Sequence, residues 1–256
     1  MSPTRTDDTE VSGERKVTTV STPTSPAATG PRERNRRGQG ARLRTDIVAA
    51  AAELLDEAGN EQAVTLRAVA RRIGIAAPSI YAHFPDRQAI LLAVVQDAFA
   101  ELTEALAAAT DIGSAANSSS EECATTQLRA ACAAYLDFAA TRPQRYRVMF
   151  GGLWHAGPAI DSAAVSAAEV TELGQDALAV LVTALNACVD AGTSTSTNTV
   201  ADAIALWLGL HGLADQRSAA AAFPWPADIA ERLITSLAHL TRQTPASETQ
   251  IRPTAS

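Results

Sequence analysis

The chain has 256 residues, of which 46% are hydrophobic and 19% are charged, and its formal net charge is −7. This length predicts one or two domains, and this composition supplies ample apolar surface for a core. Aromatic residues make up only 4% of the chain, while alanine and leucine are abundant. Such a composition favours helices over strands, so the sequence predicts a mainly helical protein.

The cysteines and the apolar segments exclude several other classes of protein. Cys123, Cys132 and Cys188 are too few and too scattered for a disulfide framework, and none lies in a C-x-x-C pair or a metal pattern. The N-terminus lacks the apolar stretch of a signal peptide. The most apolar segment, residues 177–189, is shorter than the roughly 20 residues that cross a bilayer. We therefore expect a cytoplasmic protein without a metal, a cofactor or a membrane partner.

The charge is distributed unevenly, and only one segment is positive. Residues 32–90 carry 10 basic and 7 acidic side chains, whereas residues 91–256 carry 8 basic and 17 acidic ones. Six arginines fall between Arg32 and Arg44. If the chain binds a polyanion such as nucleic acid, we expect residues 32–90 to bind it.

In chain order, the first element is a tail over residues 1–40 that is rich in Thr, Ser, Pro and Gly. We expect this tail to be disordered, because it has too little apolar surface to offset the entropy of ordering. Thr65 and Asp86 are potential caps for the helices that follow them. The apolar periodicity and the Gly and Pro breaks predict helices over about 42–59, 66–74, 78–83 and 87–109.

The rest of the chain also shows only helical patterns. Residues 110–121 are expected to form a polar loop. The later helices span about 123–141, 143–149, 160–191, 198–217 and 226–242, with Gly or Pro signals at the breaks. The polar tail at 244–256 is expected to be disordered. The sequence thus predicts an all-α fold.

The segment from Thr65 to Arg87, TLRAVARRIGIAAPSIYAHFPDR, carries the sharpest signal in the chain. Two short helices are joined by a turn that contains Gly74, and the second helix is too short to serve as a core element. Two helices joined in this way form a helix-turn-helix unit. In that unit the first helix braces across the DNA backbone, and the N-terminal residues of the second enter the major groove.

This stretch resembles the tetracycline-repressor (TetR) family of bacterial transcriptional regulators. The close resemblance covers residues 42–95, and the rest of the chain agrees in the number and lengths of its helices. It implies a three-helix DNA-binding domain at 41–88 and a helical ligand-binding and dimerisation bundle at 89–243. The matching residues are Thr65, Val69-Ala70, Ile73-Gly74-Ile75, Ser79-Ile80-Tyr81, His83-Phe84 and Asp86-Arg87.

Within this resemblance, ten residues are candidates for DNA contact. The cap Thr65 leaves free N–H groups at the start of its helix for a phosphate. Arg67 can reach the DNA backbone or a base edge. Ala77 and Pro78 can touch a thymine methyl group, and Ser79 can bond a base or a phosphate. The other candidates carry polar or charged groups suited to phosphates or to the minor groove: Tyr81, His83, Arg87, Arg36 and Arg37.

Several of these residues have a structural alternative. Tyr81 can pack in the core, His83 can cap a helix, and the arginine run can be a solvated tail. Ile80 and Phe84 are assigned to the core. Ala76 stands where the family commonly has a Ser or Thr cap, and the loss of a cap to alanine costs about 1 kcal/mol.

The segment AIALWLGLHGLA at residues 203–214 predicts a subunit interface. Only His211 is polar, and a helix that is apolar on every side must be buried on every side. Gly209 and Gly212 suggest a close backbone approach. Two helices from each subunit would form a four-helix homodimer interface. The last helix would contribute Ile229, Leu233, Leu237 and Leu240, at i, i+4, i+8 and i+11.

The pattern Trp207-x-x-x-His211-Gly212 resembles the Trp-His-Gly type of C-terminal domain found in one TetR subgroup, and so does the segment RYRVMFG at residues 145–151. In the family, this domain holds a small-molecule pocket and the dimer contact, and the ligand shifts the spacing of the two recognition helices. His211 itself is expected to be a hydrogen-bonded core residue rather than a ligand contact. The candidates for the pocket, each with a core or surface alternative, are Phe138, Met149, Trp154, His155 and Trp207.

An enzyme and a helical protein-interaction module are the competing interpretations. The sequence contains no Gly-rich phosphate loop after a strand, no G-x-S-x-G motif and no metal-type cluster of carboxylates, so we predict that the protein is not an enzyme. The resemblance implies a homodimeric, sequence-specific DNA-binding repressor that a small molecule releases from a pseudo-palindromic operator. The alternative is an interaction module that does not bind DNA.

Overall fold

The computed structural model describes residues 39–114, 120–151 and 154–241. Within these ranges the chain is helical, and the only β-type pairing is an isolated bridge between Ser194 and Leu240. The predicted all-α fold is therefore confirmed. Two short 3₁₀ helices span Glu61–Ala63 and Ala77–Ala82. The α-helices are α1 Gln39–Ala58, α2 Leu66–Arg72, α3 Arg87–Ser114, α4 Ser120–Thr141, α5 Pro143–Phe150, α6 Ala156–Asp161, α7 Ala167–Thr171, α8 Gln175–Asp190, α9 Thr199–Ala219 and α10 Ile229–Leu237.

The N-terminal helices α1 and α2, the 3₁₀ helix Ala77–Ala82 and the first half of α3 enclose one hydrophobic core, which we call the N-terminal core. Ile47, Ala51 and Leu55 of α1 are buried in it, on the stripe that the periodicity predicted. They pack with Val69 of α2 and Ile90 of α3 in the same cluster. Burial of this apolar surface is the main force that holds these four elements together.

Local signals fix the ends of these helices. The Thr65 Oγ1 atom accepts a hydrogen bond from the Ala68 amide at 3.1 Å, so the predicted cap of α2 is confirmed. The Asp86 carboxylate accepts one from the Ala89 amide at 2.9 Å and caps α3 in the same way. Gly74, which follows α2, has a φ of 71°, a conformation that favours glycine.

The C-terminal helices form a second core, which we call the bundle core. It is built around α4, α8 and α9, with α10 packed against α9. The 28-residue helix α3 takes part in both cores. Its residues Ile90, Val94 and Ala98 belong to the N-terminal core, whereas Leu102 and Leu106 belong to the bundle core. Helix α5 is a second link, because Val148 lies in the N-terminal core and Tyr146 in the bundle core.

The predicted loop at 110–121 is wrong at both ends. Helix α3 continues to Ser114, and α4 begins at Ser120. Polar side chains are compatible with a helix here, because their hydroxyl groups can donate hydrogen bonds to backbone carbonyls of the same helix. Thr110, for example, donates its hydroxyl to the Ala107 carbonyl at 2.7 Å.

The predicted helix at 160–191 is three helices. Ser166 and Glu169 form a capping box that starts α7. Ala163 has a φ of 55°, and Gly174 has a φ of 77° directly before α8. A left-handed residue breaks the helical hydrogen-bond pattern, so the continuous apolar periodicity of this segment does not give a continuous helix.

Two predicted ends need smaller corrections. The tail predicted at 1–40 ends earlier, because Gly40 lies in the first turn of α1, where backbone N–H groups need no helical partner. The last helix is shorter than 226–242. His239, with a φ of 49°, turns the chain so that its carbonyl accepts a hydrogen bond from the Thr195 amide. Leu240 is therefore buried but not helical. The rest of both predicted tails lies outside the described residues.

One stretch, Ala167–Asp190, is long and apolar enough to cross a membrane, judged by length and composition only. Gly174 interrupts it, and Leu181 and Leu185 of α8 are fully buried in the bundle core. The stretch thus contributes a core helix to the bundle.

Candidate nucleic-acid interface and regulatory domain

The recognition segment, Ala77–Ala82, is a 3₁₀ helix and not the predicted α-helix at 78–83. Ala76 provides no side-chain cap for it, and such short pieces often adopt 3₁₀ geometry. Ile80 and Phe84 are buried, as predicted, and they anchor the segment in the N-terminal core.

The outward face of the recognition segment is open to solvent. Pro78 and Ser79 are exposed, and Ala77 is half-buried. The Tyr81 side chain is 61% exposed, so the alternative that it packs in the core is wrong. Small residues beside an exposed tyrosine leave room for a close approach of another molecule.

The two arginines Arg67 and Arg71 extend this exposed surface along α2. Neither forms an ion pair among the residues that the structure describes. Arg72 differs, because it pairs with Glu53 at 2.8 Å and with Glu57 at 2.6 Å on α1. These hydrogen bonds raise the pKa of the Arg72 guanidinium and lower the pKa of the Glu57 carboxyl. Arg72 therefore fastens α2 to α1.

The start of α1 lies beside the recognition segment. His83 is half-buried, and a Cβ atom added at Gly40 would lie 3.7 Å from its Cε1 atom. The guanidinium of Arg44 stacks over the Phe84 ring at 4.6 Å from the centroid. Sequence reasoning missed the exposed residues Arg42 and Arg44 as single candidates, although the charge count had placed them in the basic segment.

Arg87 is engaged within the protein. It donates one hydrogen bond to the Glu61 carbonyl and another to the Glu61 carboxylate, each at 3.2 Å. A DNA contact by Arg87 would have to compete with this pair, so it stays a prediction. Arg36 and Arg37 lie outside the described residues.

The five candidates for a ligand pocket are spread over the chain and not gathered at one place. Phe138 is buried in the bundle core, whereas His155 is exposed. Trp154 donates its indole N–H to the Gln88 Oε1 atom of α3 at 2.8 Å. Met149 packs against both cores. Trp207 lines an apolar cavity.

One face of α9 is left uncovered by the residues that the structure describes. Val200, Ile204 and Leu208, at i, i+4 and i+8, are 52%, 42% and 64% exposed. Leu206 and Leu210 are buried on the opposite face, so within the described residues this helix packs on its own chain on one side only. Gly212 continues this stripe, and nothing lies within 4 Å of a Cβ built there. Gly209 permits the predicted close approach on the other face, because a Cβ atom added there would lie only 2.6 Å from the Leu237 Cδ1 atom of α10.

The described ranges hold no group of three or more His, Cys, Asp or Glu side chains placed to bind a metal ion. Cys132 and Cys188 are buried free thiols. Burial raises the pKa of the Cys132 thiol to about 12, so this thiol stays protonated and unreactive at neutral pH.

Two family profiles match the chain. The profile described as bacterial regulatory proteins, tetR family, matches residues 47–94. The profile described as tetracyclin repressor-like, C-terminal domain, matches residues 128–240. Together they cover more than half of the chain. A search of curated proteins finds no match.

Several solved structures have the same fold. A protein of unknown function from Rhodococcus sp. RHA1 is 24% identical, with a TM-score of 0.58 over 82% of this chain and 95% of that one. A TetR family transcription regulator from Marinobacter aquaeolei VT8 is 15% identical, with a TM-score of 0.54 over 81% and 100%.

A third solved structure, the fatty acid degradation regulator FadR from Bacillus halodurans, is 16% identical, with a TM-score of 0.58 over 77% of this chain and 99% of that one. At these identities the structures establish the fold alone. The two profiles, which match in the expected order on the helix-turn-helix and on the bundle, carry the assignment further. This chain belongs to the tetR family of bacterial regulatory proteins.

Proposed function

We propose that the protein is a homodimeric transcriptional repressor, which binds a pseudo-palindromic operator and leaves it when a small molecule binds. The observation that carries this proposal is the two-sided recognition segment. Ile80 and Phe84 hold it in the core, while Ser79 and Tyr81 face solvent. A segment anchored in this way, with small and polar residues on its open side, suits the floor of the major groove.

The charges around this segment support a contact with phosphates. Arg67 stands exposed in the first turn of α2. Arg42 and Arg44 are exposed at the start of α1, next to the basic run that ends in Arg36 and Arg37. Phosphate contacts position the protein on the duplex but do not read its sequence. Recognition of the bases would therefore depend on Arg67, Ser79 and DNA shape.

The uncovered stripe of α9 supports the homodimer. A stripe of apolar side chains four residues apart is typical of a helix that packs against another helix. Gly212 leaves space for a second backbone to approach. A symmetric dimer would present two recognition segments to half-sites roughly 34–36 Å apart, or a multiple of that distance, on one face of the DNA.

Release by a ligand, a cytoplasmic location and the Trp-His-Gly subgroup are parts of the same proposal. The pattern Trp207-x-x-x-His211-Gly212 supports the subgroup. Helix α3 supports the mechanism, because it belongs to both cores and can transmit a displacement from the bundle to the recognition segment. A ligand that binds one arrangement of α3 more tightly than another would shift the dimer between two states.

The experiment is the affinity for a duplex selected from a random-sequence library, measured by fluorescence anisotropy over a salt series. In a plot of the logarithm of the binding constant against the logarithm of the salt concentration, each neutralised phosphate contributes about −0.9 to the slope. A dimer with several phosphate contacts should therefore lose affinity steeply as the salt concentration rises. A scrambled duplex of equal length is the control and should bind at least ~10³-fold more weakly. If no sequence is enriched, or if affinity does not respond to salt, the alternative of an interaction module without DNA binding is favoured.

A further inference from the structure

An apolar cavity of about 250 Å³ lies where the two cores meet. Phe99 of α3 and Leu173, before α8, line it and also pack against the N-terminal core. Phe150 of α5, Leu178 of α8 and Trp207 of α9 line it and pack against the bundle core. Ile204 and Leu208 of the exposed α9 stripe complete the lining, so the cavity touches both halves of the protein and opens at the face proposed for the dimer.

The walls of this cavity are aromatic. The Phe99 and Phe150 rings meet edge to face, with centroids 5.5 Å apart and an interplanar angle of 87°. The Phe150 and Trp207 rings are 6.4 Å apart at 78°. Edges and faces arranged in this way suit another ring, which could add to the same T-shaped pattern. The volume exceeds the ~150 Å³ of a cavity that holds benzene and falls below the roughly 300 Å³ at which drug-sized pockets begin.

The residues that line the cavity offer an acid no cationic partner. Gln175 and the Trp207 indole carry the polar side-chain groups of the lining. The adjoining hollow, on the other side of Phe99 and Gly174, is lined by Glu104, Glu169, Glu172 and Asp176. No Lys, Arg or His lines either space. A carboxylate or phosphate placed here would lose part of its hydration without gaining a cationic partner, which is unfavourable.

Resting on the function proposed above, we infer that this cavity is the effector site and that it takes an uncharged or cationic compound of one or two rings. The ring fills the space between Phe99, Phe150 and Trp207. A neutral polar substituent can form a hydrogen bond with Gln175. An ammonium group is also attracted by the carboxylates of the adjoining hollow.

The position of the cavity also explains how a bound ligand can alter DNA binding. Phe99 lies on α3, the helix that begins directly after the recognition segment. Gly174 is in the left-handed region and faces Phe99 so closely that an added Cβ would lie 2.8 Å from its ring. A ligand that moves Phe99 or Leu173 therefore displaces residues packed on the N-terminal core.

The test uses three matched probes on the full-length dimer, measured by titration calorimetry: naphthalene-1-methanol, 1-naphthylmethylammonium and 1-naphthoate. The alcohol and the ammonium compound should bind, and the carboxylate should bind at least tenfold more weakly. If the carboxylate binds as tightly as the alcohol, or if no probe binds up to its solubility limit, the inference is overturned.

Variants locate the site. Leu178→Phe fills this cavity and should weaken binding of the alcohol at least tenfold. Leu178→Ala enlarges the cavity, and this variant should still bind the alcohol. Val180→Phe is the matched control, because Val180 lines a different hollow on the same helix, beside Thr183 and Ala187. If Val180→Phe abolishes binding and Leu178→Phe does not, the site lies elsewhere.

Operator affinity is measured on the same samples, so that the two proposals fail separately. Saturating alcohol should weaken operator binding by roughly 5- to 150-fold, the usual range of allosteric coupling. Unchanged operator affinity with the alcohol bound would contradict the effector role alone. A protein that binds no duplex contradicts the repressor proposal, while the probe titrations still decide whether the cavity takes neutral and cationic rings.

Discussion

The Tyr146 hydroxyl and the Nδ1 atom of His211 lie 2.5 Å apart and form a hydrogen bond between α5 and α9. Burial raises the pKa of Tyr146 to about 12, so the hydroxyl keeps its proton at neutral pH. Phe150 packs edge to face on the other side of the imidazole, with ring centroids 4.5 Å apart. His211, the one polar residue in the apolar stretch of α9, is thus a bonded structural residue, as the sequence predicted.

Tyr146→Phe removes this hydrogen bond and leaves an imidazole nitrogen without its partner. We expect a loss of about 1 kcal/mol in the free energy of unfolding, measured by urea denaturation at a fixed protein concentration. Operator affinity should stay unchanged. Tyr81→Phe is the control, because the Tyr81 side chain makes no hydrogen bond among the described residues and its loss of a hydroxyl should not alter stability. A Tyr146→Phe protein as stable as the wild type would contradict the structural role.

Leu208→Glu places a charge at the most exposed position of the α9 stripe. A charge buried between two subunits without a partner is strongly unfavourable, so sedimentation should show a monomer with unchanged helical circular dichroism. Gln62→Glu adds the same charge to an exposed position in the 3₁₀ helix Glu61–Ala63, away from α9, and should remain dimeric. A Leu208→Glu protein that still dimerises would show that the interface lies on another surface.

Gly174→Ala and Gly192→Ala separate backbone strain from steric overlap. Both glycines have a positive φ, 77° and 73°, which costs an alanine about 1–2 kcal/mol. Nothing lies within 4 Å of a Cβ at Gly192, whereas one at Gly174 would meet the Phe99 ring at 2.8 Å. Denaturant unfolding should therefore show a larger loss for Gly174→Ala, by about 1 kcal/mol or more. Equal losses would mean that Phe99 moves aside freely.

The acid stability of the protein should depend on Asp56 of α1. Its Oδ1 atom is buried without a hydrogen-bond partner. Burial raises the pKa of this carboxyl above 3.8, and Arg145 and Arg147 of α5 offset the effect only in part, while Glu101 of α3 and Glu53 of α1 add to it. A raised pKa means that the folded protein favours the protonated form, so this stabilising contribution is lost as the pH rises through the folded-state pKa.

Asp56→Asn should therefore raise the thermal midpoint at neutral pH, and the gain should shrink as the pH falls below the carboxyl range. The exposed Asp46 lies on the same helix, and Asp46→Asn should give no such pH-dependent difference. If Asp56→Asn lowers the midpoint at neutral pH, attraction to the arginines outweighs the effect of burial.

Features encoded by neighbouring residues could be predicted from the sequence. The caps Thr65 and Asp86 bind amides three residues away, so their side chains and spacing are visible in the chain. The burial of Ile80 and Phe84 followed from the same local pattern. The start of α7 is also encoded locally, because Ser166 and Glu169 have the spacing of a capping box, although the apolar periodicity continues across it.

Features made by distant residues could not be predicted in this way. Arg87 reaches Glu61, 26 residues earlier, and nothing in the local pattern names that partner. The cavity brings Phe99, Phe150 and Trp207 together from three helices, and of the five candidates chosen by amphipathic placement only Trp207 lines it. Whether the recognition segment is 3₁₀ or α depends on six residues and their anchors, too few for periodicity to decide.

Arg67→Ala and Tyr81→Ala test the central claim, that the exposed face around the recognition segment contacts DNA. Operator affinity is measured by anisotropy at one salt concentration, beside the thermal midpoint of each protein. Arg232→Ala and Phe223→Ala are the controls, since they remove an exposed arginine and an exposed aromatic ring far along the chain. Each test variant should bind about tenfold more weakly or worse, with its midpoint and dimer unchanged, and the controls should bind normally. Full operator affinity in both test variants, or unfolding of either, would contradict the account.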